Sequence, residues 1–253
     1  MMTLPADLEL TVSAFFIVFA RVGAVLMLLP VFGEDSIPGR IRLMIAFAMS
    51  AALYGALGEP ARVALQHGAV LPAVIVTELM TGLAMGMIVK ILFFAVSIAG
   101  SIVSFQVGLS SAVIFDPAQS GQAPLLSKFV AIAAALVCMA MQVHHLWLGA
   151  IIHSYQSFPI GGLPPMQDFA QLAIAAVGRS MTLGISLAAP LIVYGIVFNV
   201  ALGLSARIAP AIQVFFIAQP LNILLGLSLF AATVGTMLTV FATQMGDAMQ
   251  GGW

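Results

Sequence analysis

The sequence predicts an all-α fold, a polytopic helical membrane protein, and three observations predict it. Of the 253 residues, 62% are hydrophobic and only 7% are charged, whereas a soluble domain carries about 25% charged residues. The apolar residues come in long continuous runs, not in the short alternating segments of about ten residues that build outer-membrane barrels. Gly, Pro, Asp and Ser collect between the runs, where they stop helices and set turns. So few ionised groups cannot wet the outside of the chain, and its apolar surface must meet lipid or other apolar protein. A mean hydropathy of +1.16 agrees.

A bilayer-crossing helix needs about 20 mostly apolar residues. The runs are 12–32, 43–57, 70–89, 91–115, 129–152, 169–204 and 211–245. A polar turn at 33–39, with Gly33, Glu34, Asp35, Pro38 and Gly39, separates the first two. Gly58, Glu59 and Pro60 begin the next connection, 116–124 is the third, and 158–165 is the fourth. Asp168 is placed to cap the helix that follows. The run 43–57 is short for a span. The runs 169–204 and 211–245 are long, and Pro190 and Pro220 interrupt them. A proline at membrane depth kinks its helix and leaves a carbonyl for a neighbour to satisfy. The expected architecture is therefore kinked, partly half-spanning helices packed inside a larger assembly. The chain reads as one membrane domain over 1–253, divisible into sub-bundles 1–168 and 169–253. Asp7 and Glu9 precede the first run where a signal peptide has a basic region, so that run reads as part of the mature chain.

Composition also excludes functions. Net charge is -1, from eight Lys+Arg and nine Asp+Glu, which leaves no basic footprint for nucleic acid. Lys and Arg divide nearly evenly between the two sets of loops, so the positive-inside rule fixes no orientation. The single cysteine, Cys138, excludes an internal disulfide. No His-Glu-x-x-His zinc motif and no phosphate-cradling Gly-rich loop is present. No cofactor or metal is expected.

The informative residues are charges where apolar side chains belong: Arg21, Glu78, Lys90, Arg179 and Arg207. An unpaired charge at mid-bilayer costs at least about 3 kcal/mol, so these groups need partners in this chain or another. Lys90 and Arg207 have the alternative of snorkelling from a helix end. Arg21 and Glu78 each read as buried with a partner, structural pairing being favoured over an ion pathway or an inter-subunit pair. Ser97, Ser101, Ser104 and Gly108 share one helix face, and Gly82 and Gly86 form a small-xxx-small pair, features that let helices approach closely in lipid. Gly108, Leu109, Ser110 and Ser111 resemble a serine-nucleophile turn, with His144, His145 and His153 as bases, but such a site is defined by geometry rather than by residue presence. Ser110→Ala should be tolerated. A secondary transporter of a small solute or ion is the main alternative, although no matched pair of broken helices marks the two halves. Fifteen methionines suit either membrane packing or a compliant seal.

Several strings in order resemble the FliR family of flagellar biosynthesis proteins. They are Arg21-Val22-Gly23, Pro30-Val31-Phe32-Gly33 and Ile37-Pro38-Gly39-Arg40-Ile41-Arg42; then Phe105-Gln106-Val107-Gly108-Leu109, running into Asp116-Pro117, Ser120-Gly121-Gln122 and Pro124-Leu125. Next come His144-His145, Ser154 and Phe158-Pro159-Ile160-Gly161. The last are Asn199-Val200-Ala201-Leu202-Gly203-Leu204, Arg207, Ala209-Pro210, Gln213-Val214 and Gln219-Pro220-Leu221. One departure is Val143, where the family pattern has glycine. The resemblance implies a non-enzymatic subunit of the flagellar type III export gate, in the inner membrane at the basal body. It implies FliP and FliQ as partners in a hetero-oligomer, FlhB and FlhA as associates, and unfolded flagellar proteins as cargo. It also implies that residues 105–122 plug the closed pore. Val113, Ile114 and Phe115 would then shut it by dewetting, while Phe105, Gln106, Gly108, Asp116, Pro117 and Gly121 shape the plug. Gly108 and Gly121 are the expected hinges.

Overall fold

The computed structural model describes residues 6–33, 37–68, 70–109, 125–162, 166–208 and 213–250. Among these residues there are seven α-helices and no strand: α1 (Ala6–Leu28), α2 (Gly39–Gln66), α3 (Leu71–Val107), α4 (Leu125–Ala140), α5 (Val143–Ser157), α6 (Met166–Ile208) and α7 (Val214–Gln250). Helix is what a membrane chain must form, because lipid offers no partner to backbone N–H and C=O groups. Five of the seven, α1, α2, α3, α6 and α7, are long and apolar enough to cross a membrane. The α4–α5 pair makes a sixth if taken as one broken span.

Three boundaries differ from the sequence reading. The connection expected at Gly58-Glu59-Pro60 is absent, and α2 runs on through Pro60 to Gln66. Leu57, Gly58 and Ala61 are buried there, so packing on both sides of the proline holds the helix across its one missing ladder bond. Lys90 does not divide two runs, because α3 passes through it unbroken. A charged side chain removes no backbone hydrogen bond, so only Gly or Pro would have had reason to stop the helix there. Conversely, the single run 129–152 is two helices. The chain turns at Met141 and Gln142, where Gln142 adopts φ 61°. That left-handed residue precedes Val143, and Val143 itself is buried at the start of α5.

The chain forms two compact units, 1–92 with 144–177 and 249–253, and 93–143 with 178–248. In the first unit, α1 packs on α2 through a ring cluster: Phe15 lies 5.0 Å from Phe47 and 6.1 Å from Tyr54. The buried α1 residues include Ile17, Val18, Arg21, Val22 and Val25. The α3 stripe Glu78, Gly82, Gly86 has the i, i+4, i+8 spacing of one helix face. A Cβ at Gly82 would stand 2.6 Å from the Arg21 carbonyl oxygen, and one at Gly86 2.8 Å from Leu28 Cβ. These two glycines therefore let the α1 and α3 backbones approach closely.

In the second unit α4 buries Leu126, Val130, Ala134 and Cys138, again at i+4 spacing. A Cβ at Gly100 of α3 would meet Ser127 Cα at 2.6 Å, and the Ser127 hydroxyl donates to the Ser97 carbonyl (3.0 Å). The small-residue face of α3 thus receives the start of α4. Phe93 and Phe241 pack edge-on at 5.3 Å. In both units large apolar side chains also face outward, for example Met44, Phe94, Phe129 and Ile132, as expected of surfaces covered by lipid or protein.

Candidate functional site

Two polar centres lie inside otherwise apolar packing. The first is in the unit built from α1, α3 and α5. Arg21 on α1 and Glu78 on α3 are each 1% exposed. They form a bidentate pair, with Nε to Oε2 at 2.6 Å and the second guanidinium nitrogen to Oε1 at 3.0 Å. Two of the remaining three donors are used as well: Arg21 donates to Ser154 Oγ (3.3 Å) and to the Phe158 carbonyl (2.9 Å). Its guanidinium carbon stands 4.0 Å from the Tyr155 ring centroid, within cation–π reach. Only an arginine supplies this planar fork, so a lysine would not substitute for it. The cluster ties α1, α3, α5 and the segment after α5 to one charge.

The second centre is the C-terminal end of α3. The last four carbonyls of a helix have no partner within it, and at membrane depth each must find one. Here Gly108 takes φ 85°. Its N–H bonds to the Phe105 carbonyl and the Leu109 N–H to the Ser104 carbonyl, both at 3.1 Å. This is the Schellman arrangement, which glycine adopts without a Cβ penalty. The other two carbonyls, of Gln106 and Val107, accept from Asn222 Nδ2 of α7 at 3.3 Å each. Asn222 is 8% exposed, and its Oδ1 accepts from the Tyr194 hydroxyl of α6 at 2.8 Å. That bond fixes which way the carboxamide faces, so both amide hydrogens point at α3. Two glycines make room: a Cβ at Gly226 would lie 2.9 Å from Val107 Cγ2, and one at Gly195 would overlap the Gln106 side chain. Gln219 Oε1 is also buried here, without a hydrogen-bond donor among the described residues.

The residues singled out from the sequence fall unevenly on these centres. Arg21 and Glu78 meet in the first. Lys90, Arg179 and Arg207 are exposed on their helices and belong to neither. Gln106 and Gly108 sit in the second, and Phe105 next to them is 70% exposed. Val113, Ile114, Phe115, Asp116, Pro117 and Gly121 lie outside the described residues. The sequence reading missed Asn222, Tyr194 and Tyr155. Its one available signal for Asn222 was a carboxamide inside an apolar run, where polar groups are costly and need partners. Ser154 stands out in the sequence only as part of a family string.

The comparisons with known proteins agree with one another. The sequence profile of Bacterial export proteins, family 1, matches residues 12–248. The flagellar biosynthetic protein FliR of Caulobacter vibrioides is 37% identical over 225 residues, covering 89% of this chain and 90% of that protein. FliR of Escherichia coli K12 is 33% identical over 87% of this chain and 84% of its own length. FliR of Bacillus subtilis 168 is 30% identical over 83% and 82%. With a family profile spanning both polar centres and three such relatives, the chain belongs to the FliR family of flagellar export proteins, multi-pass proteins of the inner membrane.

Proposed function

We propose that this chain forms, with FliP and FliQ, the pore that admits unfolded flagellar proteins, with FlhB and FlhA associated, and that residues 105–122 plug it when closed. The observation that carries the reading is helix length against bilayer thickness. α6 and α7 have 43 and 37 residues, or about 64 and 56 Å of helix at about 1.5 Å per residue. A hydrocarbon core is about 30 Å thick, and tilts reach only about 40°. Yet outward-facing apolar side chains continue along α6 from Leu172 through Ile185 and Val197 to Ile208. A bilayer covers only part of that length, so apolar helices of other subunits must cover the rest. A transporter working alone would have no use for this surplus.

The plug reading is supported by where α3 ends. The helix stops at a fully satisfied terminus, Val107 followed by the left-handed Gly108, and that terminus leads into Val113, Ile114 and Phe115, which suit a dewetting constriction. Deleting residues 110–122 should make the membrane leak small ions while export partly survives. An intact ion barrier would count against the plug. The assembly is tested by purification: stable, fixed-ratio isolation with two smaller membrane partners is expected. A well-behaved monomer in detergent showing saturable uptake of a small solute would overturn the reading.

A further inference from the structure

We propose that Asn222 and Tyr194 form a polar catch by which α7 holds the last turn of α3, so that displacement of α7 releases that turn. Three observations carry this.

The catch is complete. Both hydrogens of the Asn222 amide go to α3 carbonyls, and its oxygen is occupied by Tyr194. A side chain with every polar atom engaged across three helices is orientated by all of them. Losing any one bond weakens the others, because the carboxamide is then free to turn.

The catch is also the sole side-chain support for the two final carbonyls among the described contacts. Phe105 and Ser104 carbonyls are satisfied by the chain's own Gly108 and Leu109 N–H groups, bonds that do not involve α7 directly and that open only when the turn itself rearranges. Gln106 and Val107 carbonyls depend on α7. In lipid or in apolar packing, two abandoned carbonyls are costly enough to make the turn rearrange. Motion of α7 is thus converted into a change at the end of α3.

Finally, α7 carries a proline beside the catch. Pro220 lies inside the helix two residues before Asn222, and a proline removes one ladder bond and kinks its helix. Gly226, one turn beyond Asn222, lets α7 lie against Val107 with no side chain between. The helix therefore lacks one ladder bond next to where it grips and lies closest to α3 where it has no side chain. Tyr194 holds from α6, its one hydroxyl hydrogen shared between Asn222 Oδ1 at 2.8 Å and the Asn222 backbone carbonyl at 3.1 Å.

The consequence for the ion barrier rests on the plug reading above, so the test has two readouts. In the assembled protein isolated from its membrane, Asn222→Ala should speed hydrogen exchange at the Gly108 and Leu109 amides roughly tenfold, the equivalent of about one net hydrogen bond. Tyr194→Phe, which keeps the ring and removes only the hydroxyl, should give a smaller increase. The double variant should be no worse than Asn222→Ala alone, as expected of coupled groups. Unchanged exchange in Asn222→Ala overturns the catch. If that variant does not assemble, unchanged exchange in Tyr194→Phe overturns it equally. Membranes carrying the whole export apparatus supply the second readout. Faster exchange with increased ion leak supports both readings, whereas faster exchange with an intact barrier leaves the catch standing and overturns the plug.

Discussion

Replacing Arg21 by alanine is expected to deplete the protein from the membrane, and Glu78→Ala should do the same. Each change strands the opposite charge in a site that is 1% exposed. Removing one partner of a buried pair costs about 3–5 kcal/mol, a large share of the roughly 5–15 kcal/mol that holds a domain folded. For Arg21 the loss is compounded, since Ser154, the Phe158 carbonyl and the Tyr155 face lose their cation together. Removing both charges with apolar side chains of similar volume, Arg21→Met with Glu78→Leu, should recover much of the level, because nothing charged is left behind. Steady-state abundance in membranes and thermal stability in detergent read the effect. A double variant as unstable as the two single losses summed would show that the pair is not what holds the cluster. A stable double variant that no longer exports would assign the pair to transport rather than to structure.

The second large effect is expected at Gly82. A Cβ there would meet the Arg21 carbonyl oxygen at 2.6 Å and Ala24 Cβ at 2.8 Å. The first of these is backbone, so it cannot swing aside, and α1 must move off α3. Overpacking of this kind costs about 1–3 kcal/mol. Gly82 also lies one turn from Glu78, so the same movement draws Arg21 away from its carboxylate. Gly82→Leu should therefore lower thermal stability strongly, and Gly82→Ala measurably. Gly178 makes a contrasting control. A Cβ there meets nothing within 4 Å, so Gly178→Ala should be neutral or stabilising by up to about 1 kcal/mol through helix propensity. Equal melting temperatures for Gly82→Leu and Gly178→Ala would refute the close-approach account.

Much of this was legible in the sequence, and the limits have identifiable causes. Composition was enough for the membrane class and for helices over strands. Arg21 and Glu78 stood out because charge is rare and expensive in such a chain. Gly82 and Gly86 stood out by spacing. Helix boundaries were less legible. Pro60 looked like a stop and is not one; Lys90 looked like a divider and is not one; Gln142 gave no sign of a turn and makes one. In each case the surrounding packing, which no local pattern records, decided the outcome. Asn222 is illegible in the sequence for a similar reason: its importance comes from the α3 carbonyls it satisfies, not from its own neighbours in the chain.

What the sequence alone determined is the solvent. With 7% charged residues, the chain can only be a set of helices covered by lipid or by other apolar helices. The tertiary structure alone decided which apolar residues face inward and which polar groups meet. Phe105 is 70% exposed and Val107 is fully buried, two residues apart on one helix, and hydropathy scores both as interior. Arg21 finds its partner 57 residues away, and Asn222 finds its acceptors 115 and 116 residues away. The physical reason is that in a chain apolar on every face, periodicity no longer separates core from surface. Only close packing, and the requirement that every buried polar group find a partner, remains to choose one arrangement.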